Sequence, residues 1–302
     1  MNSAVLIIGF NRPERLAAVI NRLRDAAPPQ VYLAIDGPRD NNDAPRVLAA
    51  QNTVAAIDWT DQVFTRFRTT NLGCQHGVID AVTWFLDAES EGIIVEDDAV
   101  PDLSFFPFCD ELLERYRGDQ RVLAIAGESR VPRSITPTED AYRFSYMGPA
   151  GAWATWDAQW HSFLRNRTDN SLLATFAALA HTDHGNFLRR THWSALMLAN
   201  KTRVMDSWAY PFMLYGIANH RLTATPNTNL VADHGIGEDA RHMRDGDPLT
   251  QPVDSVTWPL NHPARIAVDT ASEQWSNDHE VGAAPRQLAK NALTFVRRTL
   301  RR

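Results

Sequence analysis

The apolar run Gly92-Ile93-Ile94-Val95 ends abruptly in three acids, Glu96, Asp97 and Asp98. Consecutive carboxylates cannot continue a buried strand, so the chain must leave a sheet there. It leaves at the carboxyl edge, where open α/β sheets hold their ligands. Packed carboxylates repel one another unless a cation or hydrogen-bond donors neutralise them. Hard divalent cations favour carboxylate oxygen. A solvated acidic loop is the plain alternative. The buried strand before the triplet, and Pro101 with an aromatic helix after it, argue for a site.

Strand and helix signals alternate around this point. Ala4 to Gly9 and Val31 to Ile35 are short apolar runs suited to buried strands. Between them Leu16, Val19, Ile20 and Leu23 repeat at helical period, with Pro13 and Glu14 in a first turn. Gln62 to Phe67 reads as a third strand, and 74 to 88 as a helix with Val78, Ile79, Val82, Phe85 and Leu86 on one face. A helix over 105–117 and a strand over 122–126 follow. Strands separated by single helices predict a doubly wound, mainly parallel α/β sheet. After Ser129 the rhythm changes: tryptophans cluster at Trp153, Trp156 and Trp160, and helical signals appear near 171–180, 186–200 and 208–220. Residues 244 to about 285 carry five prolines among polar residues and read as loop.

The 302 residues suffice for a substantial core. A net charge of −6 gives no reason to expect nucleic acid, and no apolar segment approaches the ~20 residues of a spanning helix. Met1-Asn2-Ser3 runs straight into a short apolar stretch without the marks of a signal peptide. Two cysteines, Cys74 and Cys109, make neither a disulfide scaffold nor a zinc cluster. A reduced, cytoplasmic setting is the expectation. From Arg286 onward there are six basic residues and no acid, with Leu288, Ala292, Phe295 and Val296 at helical spacing. Such a tail either lies on an anionic membrane surface or docks on the domain with its basic side in water.

The first strand ends in Phe10-Asn11-Arg12-Pro13 and the second in Asp36-Gly37. An Asn71-Leu72-Gly73-Cys74 turn leads into a helix, and Val95-Glu96-Asp97-Asp98 precedes Pro101-Asp102 and Phe105-Phe106. This ordered set resembles the GT-A glycosyltransferases, nucleotide-diphospho-sugar transferases of the family 2 type. It is most similar to bacterial relatives of the N-acetylglucosaminyltransferase that initiates complex N-glycans. Gly151-Ala152-Trp153-Ala154-Thr155-Trp156, Pro226 to Val231 and Gly235-Ile236-Gly237-Glu238-Asp239-Ala240 extend the resemblance to about residue 243. It implies a GT-A-like domain over 1–243, with a nucleotide-sugar-binding half (1–129) and an acceptor-side helical and loop half (130–243). A polar loop and basic helix would then follow over 244–302.

The resemblance also implies roles. Arg12 and Asp36 would face the base of a UDP-sugar, and Glu96 or Asp97 the ribose or sugar. Asp98 would bind Mn2+ or Mg2+, metals that take their remaining ligands from water and diphosphate. His76 lies near a nucleotide-contacting position, although a solvent-facing helix histidine is the plainer reading. Met205-Asp206-Ser207-Trp208 is similar to a family segment that supplies the catalytic base, which places Asp206 in that role. Read from the residues alone, Asp206 is an N-cap for a helix starting at Trp208. His242 would reach the metal or stay solvated. Glu238 and Asp239 would meet the acceptor from a glycine-bearing loop that could close over the donor. Trp153 would stack on an acceptor sugar, with core packing the competing reading. The implied activity is metal-dependent, inverting transfer of a sugar to a hydroxyl of a glycan or lipid-linked acceptor; the basic tail, read by itself, adds the expectation of peripheral contact at the inner membrane face. A sugar-1-phosphate nucleotidyltransferase and a non-catalytic sugar-nucleotide-binding scaffold are the rivals. Gly9-Phe10-Asn11-Arg12 is not the Gly-rich triphosphate loop of the first, and the intact acids argue against the second.

Overall fold

A computed structural model describes residues 1–167, 172–180, 187–233 and 251–281. Four strands open the fold: β1 (Val5–Gly9), β2 (Val31–Ile35), β3 (Val63–Phe67) and β4 (Glu91–Glu96). They are joined by α1 (Pro13–Ala26), α2 (Ala44–Asn52) and α3 (Gly73–Leu86). β1 pairs in parallel with both β2 and β4, and β2 with β3. The chain therefore moves outward from β1 to β3, then returns to add β4 on the other side of β1. That reversal places a topological switch point between β1 and β4, where open α/β sheets leave a crevice beyond the strand ends.

The remaining elements are β5 (Ala99–Pro101), α4 (Phe105–Arg115), β6 (Val122–Ala126), β7 (Tyr142–Ser145), β8 (Ala152–Trp156) and α5 (Asp157–Asn166). Then come α6 (Leu172–Ala178), α7 (Phe187–Lys201), α8 (Ala209–Ala218), β9 (Leu222–Pro226), β10 (Val231–Asp233) and α9 (Thr270–Ser276). The main sheet has the order β3-β2-β1-β4-β8-β6-β9-β7, and β10 pairs with β5 in a small ribbon. β8 and β7 run against the rest. This is the mainly parallel, doubly wound α/β sheet that the alternation predicts. Alternate strand residues divide the interior in two. Val5, Ile7, Ile93 and Val95 meet α1, α2 and α4, and Leu6 and Ile94 meet α3, α5 and α8.

Two features depart from the sequence reading. The second half is not only helix and loop: β7, β8 and β9 complete the sheet. β8 lies between β4 and β6, with every residue buried, so the Trp153 region shows no alternation by which to recognise a strand. The other departure is at 251–281, which joins the domain instead of trailing from it. Val256 and Leu260 enter the core, Val256 N–H donates to Ser104 Oγ at 3.0 Å, and Ser145 Oγ donates to Glu273 Oε2 at 2.7 Å. Proline content concealed this segment because its order comes from tertiary contacts. Among the described residues no helix is long and apolar enough to cross a membrane.

Candidate active site

The site grows from the ends of β1, β2 and β4. Pro13 starts α1 directly after the β1 turn, where its missing N–H costs nothing. Asn11 Nδ2 donates to Asp43 Oδ1 at 2.8 Å, tying this turn to the loop after β2. Arg12 is thereby held over the β4 turn, where its Nη1 lies 2.9 Å from Asp98 Oδ2 and 3.7 Å from Asp97 Oδ1. Asp97 is nearly buried and accepts the Phe10 N–H at 3.2 Å. Beyond their ladder, the ends of β1 and β4 are thus joined by one backbone-to-carboxylate hydrogen bond and one guanidinium.

Negative charge outweighs these donors. Burial, with Asp98 beside it, pushes the Asp97 carboxyl up to about 6 against the pull of Arg12, the Phe10 N–H and Arg15. Glu96 is pushed up to about 8 by burial and then by repulsion from Asp98 and Asp97, although the Gly151 backbone and the Trp208 indole bond to it. Two carboxyls that resist ionisation beside a third are what a divalent cation would relieve. A hard divalent cation such as Mn2+ or Mg2+ would find carboxylate oxygen here from Asp98, were Arg12 to release it. Among the described residues no three His, Cys, Asp or Glu side chains form a ready metal cage. A metal here would therefore take most of its ligands from substrate and water.

Asp36 stands at the predicted edge, but its carboxylate is fully engaged. It accepts from Gly37 N–H at 2.8 Å, Leu72 N–H at 2.9 Å, Gly73 N–H at 3.1 Å and Asn71 Nδ2 at 2.8 Å. A nucleobase N–H would have to displace one of these. Asp206 arrives at the same place from the far half of the chain. Its Oδ2 accepts the Cys74 N–H at 2.7 Å and its Oδ1 the Gln75 N–H at 2.9 Å. Two carboxylates therefore satisfy four successive backbone donors at the N-terminus of α3, a position that favours negative charge. Gly73 between them has φ +81°, and a Cβ there would sit 2.7 Å from Asp206 Oδ2. Asp206 does not cap the helix that follows it: α8 begins at Ala209 with Trp208 as cap residue and no side-chain cap bond. Each Asp206 oxygen has one such bond and keeps lone-pair capacity for a hydroxyl.

Trp153 is a correction. It is fully buried, stacked on Trp208 with ring centroids 4.9 Å apart and packed against Trp160 and Phe212. No sugar can reach its face. Trp156 and Trp160 are core residues as well. His76 is exposed on the first turn of α3. Glu238, Asp239 and His242 lie outside the described residues. β10 ends at Asp233 opposite Ala99, one residue beyond Asp98.

Two contributors escaped the sequence reading. Arg15 lies in the first turn of α1, three residues after the cap residue Arg12, a spacing that could have been noticed. With Asn11, Arg12, Glu14 and Arg46 it lines a cavity of about 430 Å³ beside the acidic turn. Trp208 links Asp206 to Glu96 through two residues of chain, and no local pattern marks that contact.

No family model and no curated protein matches this chain. Solved structures similar to it include UDP-glucose pyrophosphorylase complexed with UDP-glucose, at 8% identity and TM-score 0.36, over 78% of this chain and 94% of that one. The galactosyltransferase LgtC with donor and acceptor sugar analogues matches at 12% identity and TM-score 0.33, over 74% and 73%. The glycosyltransferase GlyE of Streptococcus pneumoniae matches at 11% identity and TM-score 0.35, over 74% of this chain and 45% of that one. At these values the overlap assigns no activity, and the fold rests on the topology described above.

Proposed function

We propose that the chain is a metal-dependent glycosyltransferase that moves a sugar from a nucleotide diphosphate, UDP by resemblance, to a hydroxyl of a glycan or lipid-linked saccharide, with inversion at C1. The observation that carries this reading is the assembly of Arg12, the Glu96-Asp97-Asp98 turn and Asp206 at one sheet edge, from segments far apart in sequence. The arginine-lined cavity beside the turn suits a diphosphate, since guanidinium groups pair with phosphate oxygens.

Asp98 would hold Mn2+ or Mg2+, which when bound supplies positive charge to the departing diphosphate. Arg12, freed from Asp98, would turn toward the same oxygens. Asp206, held by two N–H groups, would take the acceptor hydroxyl proton as that oxygen bonds to C1. The bond from C1 to the phosphate oxygen breaks, and its electron pair leaves with the diphosphate. The basic C-terminal tail would bring the enzyme to the inner membrane face.

The test is incubation of the purified chain with radiolabelled UDP-sugars, Mn2+ and a lipid-saccharide extract. Transfer of label to the extract supports the proposal. Pyrophosphate release from UTP plus sugar 1-phosphate would identify a nucleotidyltransferase, and donor binding without turnover a scaffold.

A further inference from the structure

We infer that the chain carries a second ligand site at the amino edge of its sheet, and that this site takes an anionic saccharide, a sugar bearing a phosphate or a carboxylate. The site is a cavity of about 400 Å³, within the roughly 300–1,000 Å³ of small-molecule clefts. Gln120 before β6, Arg221 before β9 and one side of α5 line it. β6 and β9 begin here, with Val122 opposite Leu222, and β8 arrives at Trp156 opposite Glu91, the first residue of β4. Asp98 follows the other end of β4, so the length of a strand separates this cavity from the candidate active site.

Gln159 is the residue that points to a ligand. It lines the cavity while only 5% exposed, and its Oε1 accepts from Arg221 Nη1. Its amide nitrogen has no hydrogen-bond partner among the described residues. A polar group buried this far without a partner calls for an acceptor from outside the chain. The charge of the lining names that acceptor. Arg221 is held by Gln159 and by the Tyr215 ring, whose centroid lies 5.2 Å from its Cζ, yet it pairs with no carboxylate among the described residues. Arg165, exposed on α5, is likewise unpaired among them. The acids close by are engaged elsewhere, Asp119 with Arg121 and Asp87 with His161. That leaves two guanidinium groups against Asp157, the one acid of the lining. A guanidinium fork matches the oxygens of phosphate or carboxylate. Sugar hydroxyls both donate and accept, which suits the Asp157 carboxylate beside the Gln159 amide. No aromatic side chain, and no apolar one larger than Ala158, lines the cavity, so a nucleobase or an acyl chain finds no surface to pack on.

The experiment is isothermal titration calorimetry of the full chain with glucose 6-phosphate, glucuronate, glucose and inorganic phosphate. Wild type is compared with Arg165→Gln, Arg221→Gln and Asp98→Asn, each checked for unchanged thermal unfolding. Arg165 is exposed and unpaired, so its variant carries the test if Arg221→Gln fails to fold. The inference expects at least one charged sugar to bind about tenfold or more tighter than both glucose and inorganic phosphate. That binding should fall about tenfold or more in each arginine variant and persist in Asp98→Asn. The tighter of the two charged sugars identifies the anionic group. No binding of either charged sugar, or binding unchanged in Arg165→Gln, overturns the inference. Inorganic phosphate bound as tightly as the charged sugars overturns it too, because the cavity would then read the charge alone. Binding lost in Asp98→Asn places the sugar in the other site and also overturns it. None of these readouts depends on sugar transfer.

Discussion

Asp206 Oδ2 accepts the backbone N–H of Cys74 at 2.7 Å across 132 residues of chain. The bond joins the first turn of α3 to the segment between α7 and α8. It gives the carboxylate a structural function, capping α3; the proposed function adds a second, receiving the acceptor proton, and substitution can separate the two.

Replacing Asp206 with Asn keeps an acceptor oxygen for one N–H but removes the base. Sugar transfer should fall by about 10²-fold or more while donor binding persists. Asp206→Ala should in addition cost about 1 kcal/mol of stability through the lost cap. Donor titration, steady-state rates and urea unfolding of both variants would separate the two functions. Full turnover in the Asn variant would remove Asp206 from the chemistry.

Gly73→Ala attacks the same junction from the other side. The residue sits at φ +81°, and the new methyl would press on Asp206 Oδ2. The variant should lose more than about 1 kcal/mol, since an L side chain is strained there and the carboxylate must move. Unfolding midpoints in urea would show it. An unchanged midpoint would mean that the α3 turn relaxes freely.

Trp153→Ala tests the corrected role. With the ring fully buried against Trp208, Trp160 and Phe212, its removal should cost about 3–5 kcal/mol. Calorimetry distinguishes this from a platform residue, whose loss would leave stability intact and weaken acceptor binding alone.

The acidic turn should make the metal-free chain less stable as pH rises. Glu96 is pushed up to about 8 and Asp97 to about 6, so in this range the folded chain holds protons that the unfolded chain has released. Stability from these groups is complete below about pH 4 and declines through pH 8. Urea midpoints in chelator between pH 5 and 8 should fall, and Glu96→Gln should flatten the upper part of the fall. A slope that Glu96→Gln leaves unaltered would contradict the electrostatics assigned to the turn.

The parallel half of the fold was legible because its strands are short apolar runs separated by amphipathic helices, with Leu16, Val19, Ile20 and Leu23 the plainest case. The second half was harder to read. β8 is buried on both faces, and 251–281 owes its order to partners such as Ser104 and Ser145. In the site, the triplet at the end of β4 announced itself by charge. The full engagement of Asp36 and the approach of Asp206 to α3 could not be read, because both depend on backbone donors that any residue supplies. Trp153 was misplaced for a related reason: an indole suits a sugar face and a core equally well, and only packing decides.

The most direct measurement is thermal unfolding of wild type and Asp98→Asn against UDP-sugars, with and without Mn2+. A donor that binds only the folded state raises the melting temperature by linkage. The account predicts a rise in wild type that needs both Mn2+ and a nucleotide sugar and is absent in Asp98→Asn. No rise with any nucleotide sugar, or an equal rise in the variant, would contradict it.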